Sequence, residues 1–310
     1  MDKTERRRPV AVDGLILLNK PCGMTSNQAL QRVRRLLNAR KAGHTGSLDP
    51  AATGMLPLCF GEATKVCPYL LNADKTYRVT ARLGVATDTG DADGSDTGHA
   101  EVPELSSAAW HGLLQGFAGE STQVPPMYSA LKRDGKRLYE LARKGITVDR
   151  EARSIRVHHI ELLEVAGTRL VFRVRCSKGT YIRVLVEDIA KAAGTVAHTA
   201  RLHREQVGDF SAADMLDMTA LESLAEAGPG AIQAHLLAPD GALTALPAVS
   251  LGTVDTARFM AGQTVHCGTA ITGELVRVYG GTGQFLGVGE GTGEATVAPR
   301  RVFQTAEKNP

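Results

Sequence analysis

The chain has 310 residues, 22% of them charged and 43% hydrophobic, with a net charge of +3, the composition of a globular protein long enough for one large domain and a small one. Five cysteines (Cys22, Cys59, Cys67, Cys176, Cys267) form no C-x-x-C pair, which argues against a zinc site or disulfide framework and for a reducing, cytoplasmic setting. No apolar run is long enough to span a bilayer, and Asp13 breaks the stretch that would make the basic N-terminus a signal peptide.

The charge is uneven. Residues 1–41 carry ten Lys/Arg against three acids, 121–160 nine against four, and 168–204 eight against two. Positive charge gathered into blocks suits a polyanionic partner, although solvated surface charge gives the same pattern.

In chain order, "GLILLN" (14–19) reads as a buried strand. "TSNQALQRVRRLLN" reads as a helix: Thr25 and Gln28 fit a capping box, and Leu30, Val33, Leu36 and Leu37 form an apolar face opposite Arg32, Arg34 and Arg35. "ATKVCPYLL" (63–71) reads as a short helix that Pro68 opens or disturbs. "KTYRVTARL" (75–83) alternates, with Tyr77, Val79, Ala81 and Leu83 on one face. "SAAWHGLLQGF" (107–117) reads as helical, and "KRLYELARKG" (136–145) as a short basic helix closed by Gly145. "SIRVHHIELLEV" and "RLVFRVRC" read as paired strands, and a helix runs from Tyr181 to Ala193 and stops at Gly194. Beyond residue 245, short strands such as "LVRVY" and "QFLGVGE" alternate with glycine-rich turns around one short helix near 255–261. These predict a small, mostly β domain.

Several familiar patterns fail. "TDTGDADGSD" (87–96) lacks the ligand spacing of an EF-hand and reads as an acidic surface loop. "GGTGQFLGVGEGTG" (280–293) opens no helix and reads as hairpin turns, and no Walker motif occurs. His158 and His159 are adjacent on a strand, so they are expected to point to opposite faces and are poor candidates for a shared metal. His44 and Asp49 lack the further partners a metal would need.

"AGHTGSLDP" (42–50) gathers a histidine, two glycines and an aspartate in front of a proline. Alone, it reads as an Asx turn. Its surroundings change that. "AGHTGSLDPAATGMLPLC" closely resembles the catalytic segment of the TruB-type tRNA pseudouridine-55 synthases. "LLNKPCGMTSNQAL", "KTYRVTARLGVATDTGDADG", "QVPPMYSALKRDGKRLYELARKG", "CSKGTYIRVLVEDIA" and "RLHREQVGDF" resemble further motifs of that family, in family order across residues 14–210. The terminal β segment, with "ELVRVY" and "VAPRRVF", is similar to a PUA domain.

The resemblance implies an isomerisation of uridine at position 55 in the T loop of tRNA. Nothing is added to the nucleotide, so the reaction needs neither redox cofactor nor metal. By resemblance Asp49 is the nucleophile, able to hold a fragment covalently between two bond changes. Arg183 matches the arginine that pairs with it and keeps it ionised against burial. Tyr77 matches the tyrosine that stacks on the target base, and a phenol there can also handle a proton. Tyr181 lines the pocket, sharing a face with Arg183 if the chain is extended before the helix starts. Leu202 closes over the base. His44 fills the space left by the extracted uridine, and Lys20 braces the active-site loop. Arg32, Arg34, Arg35, Lys132, Arg133, Lys136 and Arg137 are expected on RNA phosphates, which position rather than specify.

The expected fold is α+β: a catalytic core (1–245) on a large mixed, mainly antiparallel sheet flanked by helices, with residues 121–150 as an RNA-clasping segment, then a PUA-like domain (246–310). A monomer is expected, with the T arm of tRNA as partner. The other readings are an RNA-binding protein that assists tRNA folding, and the guide-dependent relative found in ribonucleoprotein particles. The clasping segment and the lack of a lysine-rich tail argue against the latter.

Overall fold

The computed structural model describes residues 8–133 and 135–304. In chain order, β1 (Gly14–Lys20) leads to α1 (Ser26–Leu36), β2 (Ala42–His44) and β3 (Thr53–Phe60). A 3-10 turn (Gly61–Val66) runs into α2 (Cys67–Asn72), with Pro68 in its first turn, so the proline opens this helix. Then come β4 (Lys75–Leu83), the small hairpin β5 (Val85–Thr87) and β6 (Asp96–His99), α3 (Ser107–Gln115) and β7 (Gly119–Gln123). Residues 121–150 hold β8 (Lys132–Arg133), β9 (Lys136–Arg137) and α4 (Leu138–Ala142). β10 (Arg153–Ala166), β11 (Arg169–Cys176), α5 (Ile182–Ala192), β12 (Ala197–Val207), β13 (Leu216–Asp217), α6 (Met218–Glu226) and α7 (Pro229–Gln233) complete the core. The last part holds β14 (Ala248–Ser250), α8 (Thr253–Met260), β15 (Val265–His266), β16 (Thr272–Tyr279), β17 (Phe285–Gly293) and β18 (Thr296–Val302).

The main sheet has the order β13-β1-β3-β12-β4-β11-β10-β7, with β2 beside β3. Only β1/β13 and β3/β12 pair in parallel, so the sheet is mixed and mainly antiparallel, as expected. β4 buries the alternate residues Lys75, Tyr77, Val79, Ala81 and Leu83, as its period of two requires. On that face Trp110 of α3 and Ile182, Leu185, Val186 and Ile189 of α5 form the largest core cluster. A second cluster lies under α1, whose Thr25 caps Gln28 N while the Gln28 side chain caps Thr25 N. The last strands form a separate sheet, β14-β16-β17-β18-β15. It docks on the core through Val288 and Phe303, which cluster with Leu15, Leu17 and Met55. Lys65 donates to Val302 O at 2.7 Å, and Gln304 N donates to the Glu62 carboxylate at 2.8 Å.

Two local expectations are corrected. The helix expected from residue 136 begins at Leu138, because Lys136 and Arg137 pair with Lys132 and Arg133 across a turn. Gly135 takes φ 78° in that turn, and Asp134 of the expected "RDG" turn lies outside the described residues. His158 and His159 do not face opposite ways. A bulge between Val157 and His159 leaves both exposed, with His158 Nε2 3.1 Å from Asp74.

Candidate active site

Asp49 sits in the loop joining β2 to β3, and the loop is tied along its length. Thr45 N donates to Pro57 O, Leu48 N donates to Ser26 Oγ at 2.8 Å, and Ser26 Oγ donates to Leu48 O at 3.0 Å. Ala52 N closes a turn onto Asp49 O. Lys20, fully buried at the end of β1, donates to Pro21 O (2.8 Å), Met24 O (2.7 Å) and Pro50 O (3.3 Å). It therefore ties the residue after Asp49 to the start of α1. Burial lowers the Lys20 pKa to about 8, against the pull of Cys22 and Asp49.

Arg183, in the first turn of α5, is 5% exposed. Its Nε lies 3.1 Å from the Asp49 carboxylate, one Nη donates to Thr89 O and the other to Tyr128 O, both at 2.7 Å. Asp91 stands 3.6 Å away. One guanidinium thus ties together the Asp49 loop, the acidic loop after β5 and the segment around Tyr128. Its planar fork is suited to several acceptors at once. Asp49 keeps 45% of its side-chain surface open, so its carboxylate is held yet reachable. Burial pushes its pKa above the ordinary carboxylate value; Arg183 opposes this most strongly, Asp91 and Asp93 add to it, and Lys20 opposes it.

Tyr77 is buried on β4 in the same cluster as Leu48, and Leu202 packs against that cluster from β12. Burial raises the Tyr77 pKa, with Arg204 acting against it, so the neutral phenol is favoured. Tyr181 is the extended N-cap of α5 (φ −93°, ψ 109°), the conformation it needs to share a face with Arg183. The Gln123 side chain holds its backbone, accepting from Tyr181 N at 3.0 Å. His44 ends β2 half-buried, and its Nδ1 is enclosed with no partner among the described residues. Burial lowers its pKa, and the charges of Arg204 and Arg137 add to this, which favours the neutral ring. A neutral imidazole can stack.

The structure brings Asp49, Arg183, Tyr77, Tyr181, Leu202 and Lys20 together, with His44 on the adjoining strand. The basic residues differ in freedom. Arg32 is ion-paired with Glu222. Arg34 is spent on its own helix end, donating to Ala39 O and Arg40 O. Both are therefore less free for phosphates than the sequence implies, whereas Arg35 is exposed. Lys132, Arg133, Lys136 and Arg137 are exposed on the β8–β9 hairpin, where Arg133 also donates to Asp149 O.

Three site residues escaped the sequence reading. Asp91, taken as part of an acidic surface loop, is 9% exposed and faces Arg183. Lys75 is buried, with its Nζ on three carbonyls at the end of α2. Arg204 is 1% exposed. The resemblance touched all three motifs, T-D-T-x-D, K-x-Y and L-x-R, without giving these residues a role. Among the described residues no His/Cys/Asp/Glu group is arranged to hold a metal, and no helix is long and apolar enough to cross a membrane.

Residues 34–182 match the N-terminal domain of the TruB family pseudouridylate synthases. Residues 183–244 match the tRNA pseudouridylate synthase B C-terminal domain, and 247–303 match the C-terminal domain of pseudouridine synthase II TruB. A tRNA pseudouridine synthase B from Pseudomonas putida is 49% identical over 295 residues, covering 95% of this chain and 96% of that protein. Another from Nitrosococcus oceani is 49% identical over 305 residues and covers 98% of each. Among solved structures, a Cbf5-Nop10-Gar1 complex aligns at a TM-score of 0.73 and 27% identity, covering 94% of this chain and 85% of that one. With family models matching residues 34–182, 183–244 and 247–303, and relatives 49% identical over nearly their full length, this chain belongs to the TruB family of pseudouridine synthases.

Proposed function

We propose that the chain isomerises a uridine in the T loop of tRNA, position 55, to pseudouridine, with Asp49 as nucleophile. The observation that carries this is the carboxylate itself: half-open to substrate, gripped by the buried Arg183, beside a buried tyrosine, in a chain 49% identical to tRNA pseudouridine synthases B. The uridine leaves its stack and enters the pocket. The N1–ribose bond breaks, the uracil turns, C5 bonds to ribose C1′, the C5 proton leaves to solvent and N1 takes up a proton. Asp49 holds the fragment between the two bond changes. Tyr77 stacks on the base and handles a proton, Tyr181 and Leu202 line and close the pocket, and His44 fills the vacated place in the loop.

Residues 121–150 clasp the T arm, bringing Lys132, Arg133, Lys136 and Arg137 to phosphates. Arg35 contributes from α1, and Arg32 and Arg34 follow only if they leave their present partners. The Tyr128–Arg183 hydrogen bond supports a coupling of this clasp to the catalytic centre. The division near residue 245, a PUA-like role for the second sheet, a monomeric state and a cytoplasmic location belong to the same reading. Nucleoside mapping of a treated tRNA transcript tests the substrate. Pseudouridine at position 55 alone is the expected result, and modification elsewhere or nowhere contradicts it.

A further inference from the structure

Arg204 closes the seam between the two halves of the main sheet. β3 and β12 meet at two positions, His203 with Thr53 and Arg204 with Gly54. On its other side Arg204 pairs with Tyr77. The backbone approach is close: Gly54 has φ +100°, and a Cβ there would lie 2.3 Å from Arg204 O and 2.7 Å from Arg204 N. The side chain is enclosed. Its Nε donates to Met55 O at 2.7 Å, and one Nη donates to Gly46 O at 2.9 Å. Gly46 lies on the way into the Asp49 loop and Met55 on the way out. One planar guanidinium therefore clamps both limbs of the catalytic loop, a grip that the single ammonium of lysine cannot reproduce.

Stability alone does not account for this arginine. Among the described residues it faces no carboxylate within ion-pair distance, and the nearby buried Lys75 is a second cation. Burying an uncompensated charge is costly, and an apolar side chain of similar volume would fill the space at less expense. What the fork provides is position: a loop fixed at both limbs, from the strand position that pairs with Tyr77.

We propose that Arg204 is a positioning residue for the isomerisation, clamping Gly46 and Met55 so that Asp49 and Tyr77 keep a fixed separation across the seam. This rests on the roles given above to Asp49 and Tyr77. The test compares Arg204→Gln and Arg204→Lys with wild type and Asp49→Asn. The measurements are single-turnover release of tritium from C5-labelled tRNA, tRNA affinity by filter binding, and circular dichroism at the assay temperature. Arg204→Gln is expected to lose about 10²-fold in single-turnover rate while affinity stays within about threefold, the signature of a misplaced reactive group. Arg204→Lys recovers part of that rate. A merely structural residue would lower the melting temperature and leave the rate of the folded enzyme unchanged. A folded Arg204→Gln protein at wild-type rate overturns the proposal, and so does a loss that lies wholly in affinity. Where Arg204→Gln does not fold, Arg204→Lys decides by the same two criteria. Wild-type release with an inert Asp49→Asn upholds the underlying reading separately, so the Arg204 rates judge the clamp alone.

Discussion

Replacing Arg183 with methionine removes the cation that touches both carboxylates of the pocket. The lost contacts are Asp49 at 3.1 Å, Asp91 at 3.6 Å, and the Thr89 and Tyr128 carbonyls at 2.7 Å. Removing one partner of a buried pair costs about 3–5 kcal/mol. Asp91, with 12% side-chain exposure, fits that case. Asp49, 45% exposed, adds only the roughly 0–1 kcal/mol of a screened pair. The expected loss is therefore about 3–6 kcal/mol, or roughly 6–24 °C in melting temperature at about 2–4 °C per kcal/mol. The effect on catalysis has a distinct sign. Burial raises the Asp49 pKa and Arg183 holds it down, so the variant's carboxyl rises further. A carboxylate attacks only above its pKa, so the acidic limb of the pH–rate profile moves to higher pH. The rate at neutral pH falls by about 10²–10³-fold, the usual effect of losing one preorganised electrostatic partner. Tritium release from C5-labelled tRNA, followed across pH under single-turnover conditions, measures both. An acidic limb that stays in place, with a rate within about tenfold of wild type, refutes the reasoning.

Asp91→Asn has the opposite sign: Asp91 raises the Asp49 pKa, so its removal moves the acidic limb to lower pH, read from the same profile. Gly54→Ala forces a Cβ against the Arg204 backbone at a positive φ. It should cost at least about 2 kcal/mol by denaturant titration, from backbone strain and overpacking together. Changing Lys132, Arg133, Lys136 and Arg137 together to glutamine should weaken tRNA binding evenly across sequences. It should also reduce the slope of log affinity against log salt by roughly three, if each had neutralised one phosphate.

The pattern of what was legible in the sequence has a physical logic. Local signals were readable because their partners are local: the Thr25–Gln28 capping box, the alternation of β4 and the Asp49 turn. Buried cations were not. Arg204 and Lys75 look like surface charges on alternating strands. Their burial depends on carbonyls: Gly46 and Met55 lie more than a hundred residues from Arg204, and a helix end receives Lys75. Asp91 looked like one acid among several until the fold set Arg183 against it. Arg32 and Arg34 erred the other way: Glu222, which occupies Arg32, comes from tertiary structure, and Arg34 turns back onto the Ala39 and Arg40 carbonyls just past its own helix. The His158–His159 bulge shows the same limit, because register is a property of a strand pair rather than of one strand.

The most direct test of the central claim is tritium release from an unmodified, C5-labelled tRNA transcript by wild type and Asp49→Asn side by side. Release by wild type and none by the variant, with equal tRNA binding, is the predicted result. Binding without release by wild type would contradict the account and point to an RNA-folding or guide-dependent role. Release by Asp49→Asn would remove Asp49 from the centre of the chemistry.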